Sequence, residues 1–199
     1  MKIAVFFQKH TGRISKLLRS IYGKFFLRSN KRRIKYLKDA GAKIGKNVTV
    51  GKIDIFGSEP YLIEVGDNTY FSGGDSRLLT HDGGIMQLKH MGITEKGYDY
   101  FGKIKIGKNC FIGHNCIVMK NVTIGDNCII GAGAIVAKSI PTGCVAAGVP
   151  AKVICTVEEY YEKNKERYDD TLGWNGYKKR QYIEEHMEKY EKVRKEKEL

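Results

Sequence analysis

The reactive side chains of this 199-residue sequence include five histidines and five cysteines. An imidazole titrates near neutrality, so it can take the proton from a hydroxyl as that hydroxyl attacks an electrophile. A cysteine thiolate could attack directly, given exposure and a base beside it. His10 and His186 lie in the terminal stretches, where a solvated ring is the default reading. His81 stands apart by position. It ends Arg77-Leu78-Leu79-Thr80 and opens into Asp82-Gly83-Gly84. A ring at such a junction serves as a surface residue or as a general base. Asp82 either orients that ring or forms the Asp-Gly-Gly turn, since an Asx side chain readily bonds its own backbone.

The cysteines are Cys110, Cys116, Cys128, Cys144 and Cys155, an odd count with no C-x-x-C pair. That pattern reads as reduced thiols rather than a disulfide framework or a zinc site. What positions these side chains is an internal repeat. Ile106, Ile112, Val118, Ile124, Ile130 and Val136 recur every sixth residue, and a small residue follows all but one of them. Four positions after each aliphatic stands Cys110, Cys116, Val122, Cys128, Ala134 or Ile140. The period implies a triangular coil of short parallel strands, three hexads to a turn, with Ile and Val stacked inside. Lys108-Asn109 and Asp126-Asn127 mark corners, where Gly and Asn supply the turn. Cys110, Cys116 and Cys128 fall on the small inward position, so packing explains them and a covalent acyl-cysteine route is rejected.

A looser repeat runs earlier through Ile44-Gly45, Val50-Gly51 and Phe56-Gly57, then after a three-residue slip through Val65-Gly66 and Phe71-Ser72. Between the two blocks, Asp82–Gly102 breaks the period and carries Lys89, His90, Lys96, Tyr98 and Tyr100. It reads as a loop extruded from a corner, and long loops in repeat proteins are usually functional. The coil ends near Ile140-Pro141, with a last short strand around Ala151–Ile154.

Three segments follow: a basic arm over 1–43, the repeat domain over 44–155 with its loop 82–102, and a charged helical extension over 156–199. The formal charge of +13 sits almost wholly in the arm, where 13 Lys/Arg meet one acid, Asp39. The repeat domain is therefore near neutral. No apolar run is long enough to cross a membrane, so the expected location is the cytoplasm, or the periphery of the inner face of the membrane. Within the arm, Ile14, Leu17, Leu18, Ile21, Tyr22, Phe25 and Phe26 form a helical stripe opposite Arg13, Lys16, Arg19, Lys24 and Arg28. Two readings stay open: a cap over the open end of the coil, or contact with anionic lipid through 12–38. After Thr156, Ile183, Met187, Tyr190 and Val193 are spaced for one helix face.

The run from Ile106-Gly107-Lys108-Asn109 to Ser139-Ile140-Pro141, closed by Gly148-Val149-Pro150-Ala151-Lys152-Val153-Ile154, resembles the hexapeptide-repeat acyltransferases. The similarity is greatest to the galactoside/maltose acetyltransferase-like enzymes and the O-acetyltransferases of cell-surface polysaccharide synthesis. It implies an all-β fold, a left-handed parallel β-helix with an extruded loop and flanking N- and C-terminal helices, working as a homotrimer with sites between subunits. It implies acetyl-CoA as co-substrate with no metal, His81 as catalytic base, and a sugar or glycan acceptor. Positions matching the family's acetyl-CoA contacts are Phe111, His114, Ala132, Ala137, Lys138 and Lys152. Ala132 would act through its backbone N–H between Gly131 and Gly133, and Lys138 and Lys152 would meet phosphates. By residue type alone those lysines are equally ordinary solvated side chains. Phe111 stands where the family often carries Trp, and Cys155 where it carries a second basic residue.

Rival readings are an N-acetyltransferase of an amino sugar and a non-enzymatic basic scaffold. The arm lacks the interleaved aromatics of a nucleic-acid module, so nucleic acid is not the expected partner. A histidine-ligated zinc site on such a coil needs H-x-x-x-x-H, and Met119 stands where the partner of His114 would be.

Overall fold

The hexads build three flat faces. In a computed structural model describing residues 27–73 and 75–190, the first face stacks β1 (Lys43–Ile44), β2 (Ile63–Val65), β5 (Ile104–Ile106) and β8 (Thr123–Ile124), all parallel. The second carries β3 (Tyr70–Phe71), β6 (Phe111–Ile112), β9 (Ile129–Ile130) and β11 (Cys144–Ala147), closed by antiparallel β12 (Lys152–Thr156). The third holds β4 (Arg77–Leu79), β7 (Ile117–Met119) and β10 (Ile135–Val136). Where the repeat is unbroken, Ile112 pairs with Ile130 and Val118 with Val136, one coil of three hexads apart. The three-residue slip appears as Ile44 opposite Val65.

Every repeat aliphatic from Ile106 to Val136 is buried, at 0–1% exposure, which fixes the register because a one-residue slip would turn the column outward. The outward positions differ by face. The first shows Lys43, Glu64, Lys105 and Thr123; the second shows Tyr70, Phe111 and Ile129; the third shows Arg77, Leu79, Ile117, Met119 and Ile135.

The corner between the first and second faces explains the asparagines. Asn47, Asn68, Asn109 and Asn127 all have φ between 53° and 58°, the left-handed region that Asn tolerates. Their side chains form a ladder, each Nδ2 donating to the Oδ1 one coil on, at 3.1, 3.0 and 2.8 Å. Gly107 is required by close approach, since a Cβ there would lie 2.6 Å from the Asp126 nitrogen. The small inward side chains satisfy the remaining carbonyls: Thr69 Oγ1 donates to Gly107 O, Cys116 Sγ to Gly131 O and Cys128 Sγ to Pro141 O.

Burial also pushes the Cys110 thiol up to about 11, so it is neither exposed nor readily ionised. An Ellman titration of the native protein at neutral pH is expected to reach no more than Cys144 and Cys155. All five thiols should react after denaturation, because Cys110, Cys116 and Cys128 are buried.

The open end of the coil is covered by α1 (Asn30–Asp39), with Ser29 as N-cap accepting from Arg32 N. Leu27, Tyr36 and Leu37 bury against Val48, Val50 and Ile55. Asn30 Nδ2 donates to Val48 O and its Oδ1 accepts from Val50 N, so this side chain pairs with the first coil's edge as a strand would. Arg33 Nε adds a bond to Val50 O. The cap therefore comes from 27–40. The stripe over Ile14–Phe26 lies outside the described residues.

Phe56 is buried as the early repeat requires, but its segment is a 3-10 turn, Ile53–Phe56, rather than a strand. The loop after β4 carries a short helix, α2 (Gln87–His90), and exposes Met86, Met91 and Ile93. After β12 comes α3 (Val157–Asn164). The chain divides into two compact units, 1–161 and 162–199. In the second, α4 (Gly176–Glu185) breaks at His186, Met187 and Tyr190 lie in a further helical segment over 187–190, and Val193 is outside the described residues. This unit is organised by Asp169, whose carboxylate accepts from Tyr182 and Tyr190 hydroxyls and from Lys189 Nζ.

Candidate active site

His81 sits where the frame releases the loop. Its backbone bridges antiparallel to Phe101, Asp82 N donates to Tyr100 O at 2.9 Å, and Gly102 N donates to Thr80 O at 2.8 Å. The loop is thus closed at its neck by main-chain bonds, and the imidazole projects from that neck. The ring is 46% exposed and meets the Phe101 ring edge-on at 6.2 Å.

The group on the ring is Glu59. His81 Nδ1 lies 2.9 Å from Glu59 Oε2, and the same oxygen accepts the buried Thr80 hydroxyl at 2.6 Å. A carboxylate oxygen only accepts, so in the neutral ring this contact places the hydrogen on Nδ1 and the lone pair on Nε2. Glu59 is largely covered, its side chain 12% exposed. It comes from the coil that carries the slip, just before the 3-10 turn Pro60–Leu62. The signal was available: Ile44 to Val65 is a 21-residue coil, and 21 residues before Thr80 stands Glu59.

Asp82 does something else. Its Oδ2 accepts from Lys120 Nζ at 3.0 Å and its Oδ1 from Gly84 N at 3.0 Å, while Lys120 also lies over the Tyr100 ring. Of the two readings of Asp82, its contacts favour the turn: the carboxylate bonds Lys120 and Gly84 N, and it is Glu59 that lies against His81 Nδ1. The Lys120 bond, then the Gly84 N–H, hold the Asp82 carboxyl below the usual carboxylate range. A depressed carboxyl contributes above its ordinary value and loses that contribution as pH falls through the lowered one. At neutral pH the latch is therefore fully formed. Lys120→Met is expected to speed hydrogen exchange of the Asp82 and Gly102 amides by roughly 5- to 10-fold, measured by mass spectrometry or NMR.

The remaining site residues fall in separate places. Ala137 and Lys138 follow β10 in the same corner column as His81, one coil past Met119 and Lys120. His114 and Ala132 occupy the corner between the second and third faces, with Gly133 N donating to His114 O at 2.7 Å. The His114 ring packs on Gly73, where a Cβ would lie 2.2 Å from Cε1. Phe111 stacks on Tyr70 on the second face, with centroids 5.9 Å apart. Lys152 begins β12 and is exposed. Within one chain, the third face separates the His81 column from the His114 column. In Gly131-Ala132-Gly133, Gly131 packs against Ala147, where a Cβ would lie 2.8 Å from the Ala147 Cβ, and Gly133 has φ 73° with open space beside it. Among the described residues, no group of three or more His, Cys, Asp and Glu side chains could hold a metal ion.

The described chain is thus a three-sided hexad coil with an imidazole–carboxylate pair at the neck of an extruded loop. The bacterial transferase hexapeptide (six repeats) family matches residues 103–138. The chain is 40% identical over 167 residues to Protein CapG of Staphylococcus aureus, covering 80% of this chain and 93% of that protein. It is 33% identical over 129 residues to galactoside O-acetyltransferase of Escherichia coli (strain K12), covering 60% of this chain and 61% of that one. Among solved structures, a maltose O-acetyltransferase from Clostridium difficile 630 superposes with a TM-score of 0.52 at 24% identity, over 78% of this chain and 89% of the other. A galactoside acetyltransferase in complex with coenzyme A gives 0.50 at 27%, over 74% and 80%. The chain belongs to the hexapeptide-repeat transferase family. Its coil is the left-handed parallel β-helix, as the resemblance implied, and it is an acyltransferase.

Proposed function

We propose that the protein is an acetyl-CoA-dependent O-acetyltransferase of sugar hydroxyls in cell-surface polysaccharide synthesis, with His81 as general base. The observation that carries this reading is the 2.9 Å contact from His81 Nδ1 to Glu59, which leaves Nε2 as a base facing outward from the neck. Nε2 takes the acceptor hydroxyl proton as the oxygen attacks the thioester carbonyl. The oxygen–acyl bond forms, the carbon–sulfur bond breaks, and the proton passes to the leaving thiolate. Glu59 acts as a positioning residue that also stabilises the imidazolium between these steps. A sugar acceptor is supported by the relative named for acetylating galactosides.

Coenzyme A is supported by the related enzyme solved with it. The residues present fit such a ligand: a glycine-flanked Ala132 N–H is exposed at its corner, and Lys138 and Lys152 are exposed cations that form no ion pair among the described residues. Because the His81 and His114 columns lie on different corners of one coil, a cleft using both needs a second copy of the chain. The apolar outward stripe Tyr70-Phe111-Ile129 on the second face, and the pairs Leu79-Met119 and Ile117-Ile135 on the third, supply surfaces for it, in a homotrimer with sites between subunits. The charged first face is left for solvent.

The test is a panel of neutral and amino sugars and oligosaccharides incubated with acetyl-CoA, following thiol release and locating the acetyl group by NMR. An O-acetylated product supports the reading. An N-acetylated amino sugar as the sole product replaces it, and no thiol release above background with any acceptor removes it.

A further inference from the structure

Phe101 is a large apolar side chain that the coil leaves 48% exposed, and its ring meets the half-exposed His81 imidazole at 67° between planes. The backbone holds it there. His81 and Phe101 are antiparallel bridge partners, so their side chains stand on the same face of the neck. The bonds from Asp82 N to Tyr100 O and from Gly102 N to Thr80 O flank the pair. A Cβ at Gly102 would run into the Asn121 amide, so the chain leaving Phe101 lies tight against the next coil. Tyr100, its neighbour, is used differently: Lys120 Nζ sits 4.4 Å from its ring centroid, and Asn121 Nδ2 donates to its hydroxyl at 3.2 Å. Tyr100 secures the neck, and Phe101 is left open to solvent beside the imidazole.

A fixed aromatic surface next to a proton-accepting nitrogen specifies its occupant. The ligand must bring a hydroxyl to Nε2 and, on the same molecule, an apolar surface to Phe101. A pyranose does both, because its hydroxyls point outward around the rim while C–H bonds cover its faces. We infer that Phe101 is the acceptor platform: one C–H face of the sugar lies on its ring, which turns a rim hydroxyl toward Nε2. The class selected is a neutral hexopyranose whose axial 4-hydroxyl leaves the opposite face to carbon-bound hydrogens. Lys120, a cation at the neck, is already held by Asp82 and Tyr100, so it asks for no charge on the sugar. The inference rests on the sugar-hydroxyl reading of the site and adds which kind of ring is taken and by which face.

The experiment gives the full chain methyl β-galactopyranoside or methyl β-glucopyranoside. Saturation-transfer difference NMR with coenzyme A present reads binding without turnover, and thiol release from acetyl-CoA reads the reaction. In the wild type, saturation should concentrate on the galactoside ring protons at positions 3, 4 and 5, and the galactoside should bind more tightly than the glucoside. Phe101→Ala is expected to raise the galactoside KM by roughly 10-fold, the size of one aromatic contact, with kcat within about threefold and the KM for acetyl-CoA unmoved. Phe101→Trp should restore the KM, and protection of the three buried cysteines confirms that both variants are folded. No binding of either glycoside, saturation and KM unchanged in Phe101→Ala, a loss confined to kcat, or an alanine variant that sediments as a smaller oligomer would each overturn the platform. Saturation that depends on Phe101 without any thiol release keeps the platform and sinks the transfer reading. Thiol release indifferent to Phe101 does the reverse.

Discussion

On the proposed mechanism, His81→Ala is expected to lower kcat by about 10³-fold while thermal stability and coenzyme A binding stay near wild type. The magnitude follows from what a positioned general base supplies in proton transfer, roughly 10²- to 10⁴-fold, or about 4 kcal/mol of barrier for the middle of that range. The ring is half exposed and carries none of the core, so its removal leaves the coil intact. Loss of turnover with unchanged KM for acetyl-CoA is the expected pattern, measured by thiol release with the best acceptor. An alanine variant within tenfold of wild type would remove His81 from the chemistry.

Glu59→Gln is expected to give the second large effect, with kcat down by about 10²-fold. Glutamine keeps an oxygen for the Thr80 hydroxyl or for the imidazole, but its amide can also donate to Nδ1. Donation there places the hydrogen on Nε2 and takes away the base. The carboxylate that stabilises the imidazolium is lost as well. Glu59→Asp should recover part of the rate, since it keeps the charge and only shortens the reach. A purely structural role would instead lower the melting temperature of both variants in step with activity, and would not separate kcat from KM. Steady-state kinetics with melting curves on the two variants distinguish these outcomes.

The coil was legible because hexad spacing follows from geometry alone: a short strand and a corner need six residues, and the aliphatic must point inward. The same spacing identified Cys110, Cys116 and Cys128 as packing residues, and Asn109 and Asn127 as turn formers. Glu59 was missed because it lies in the slipped coil, where 21-residue spacing replaces 18 and the hexad frame places nothing opposite Thr80. Asp82 was ambiguous because adjacency in sequence does not determine which way a turn residue faces. Lys120, 38 residues away, decides it. The cap helix escaped notice for another reason. Its two key contacts are polar ones from Asn30 and Arg33 to backbone, and periodicity of apolar residues is blind to those.

The zipped neck also separates two jobs, holding the imidazole and carrying the loop. Asp82 N to Tyr100 O and Gly102 N to Thr80 O fix where the excursion leaves and rejoins, whatever its contents. Residues between those anchors can therefore diverge in length and composition without tugging on the imidazole. If His81 is the base, as proposed, selectivity for what is modified becomes an exchangeable cassette, fitted onto a chassis whose reactive nitrogen stays put.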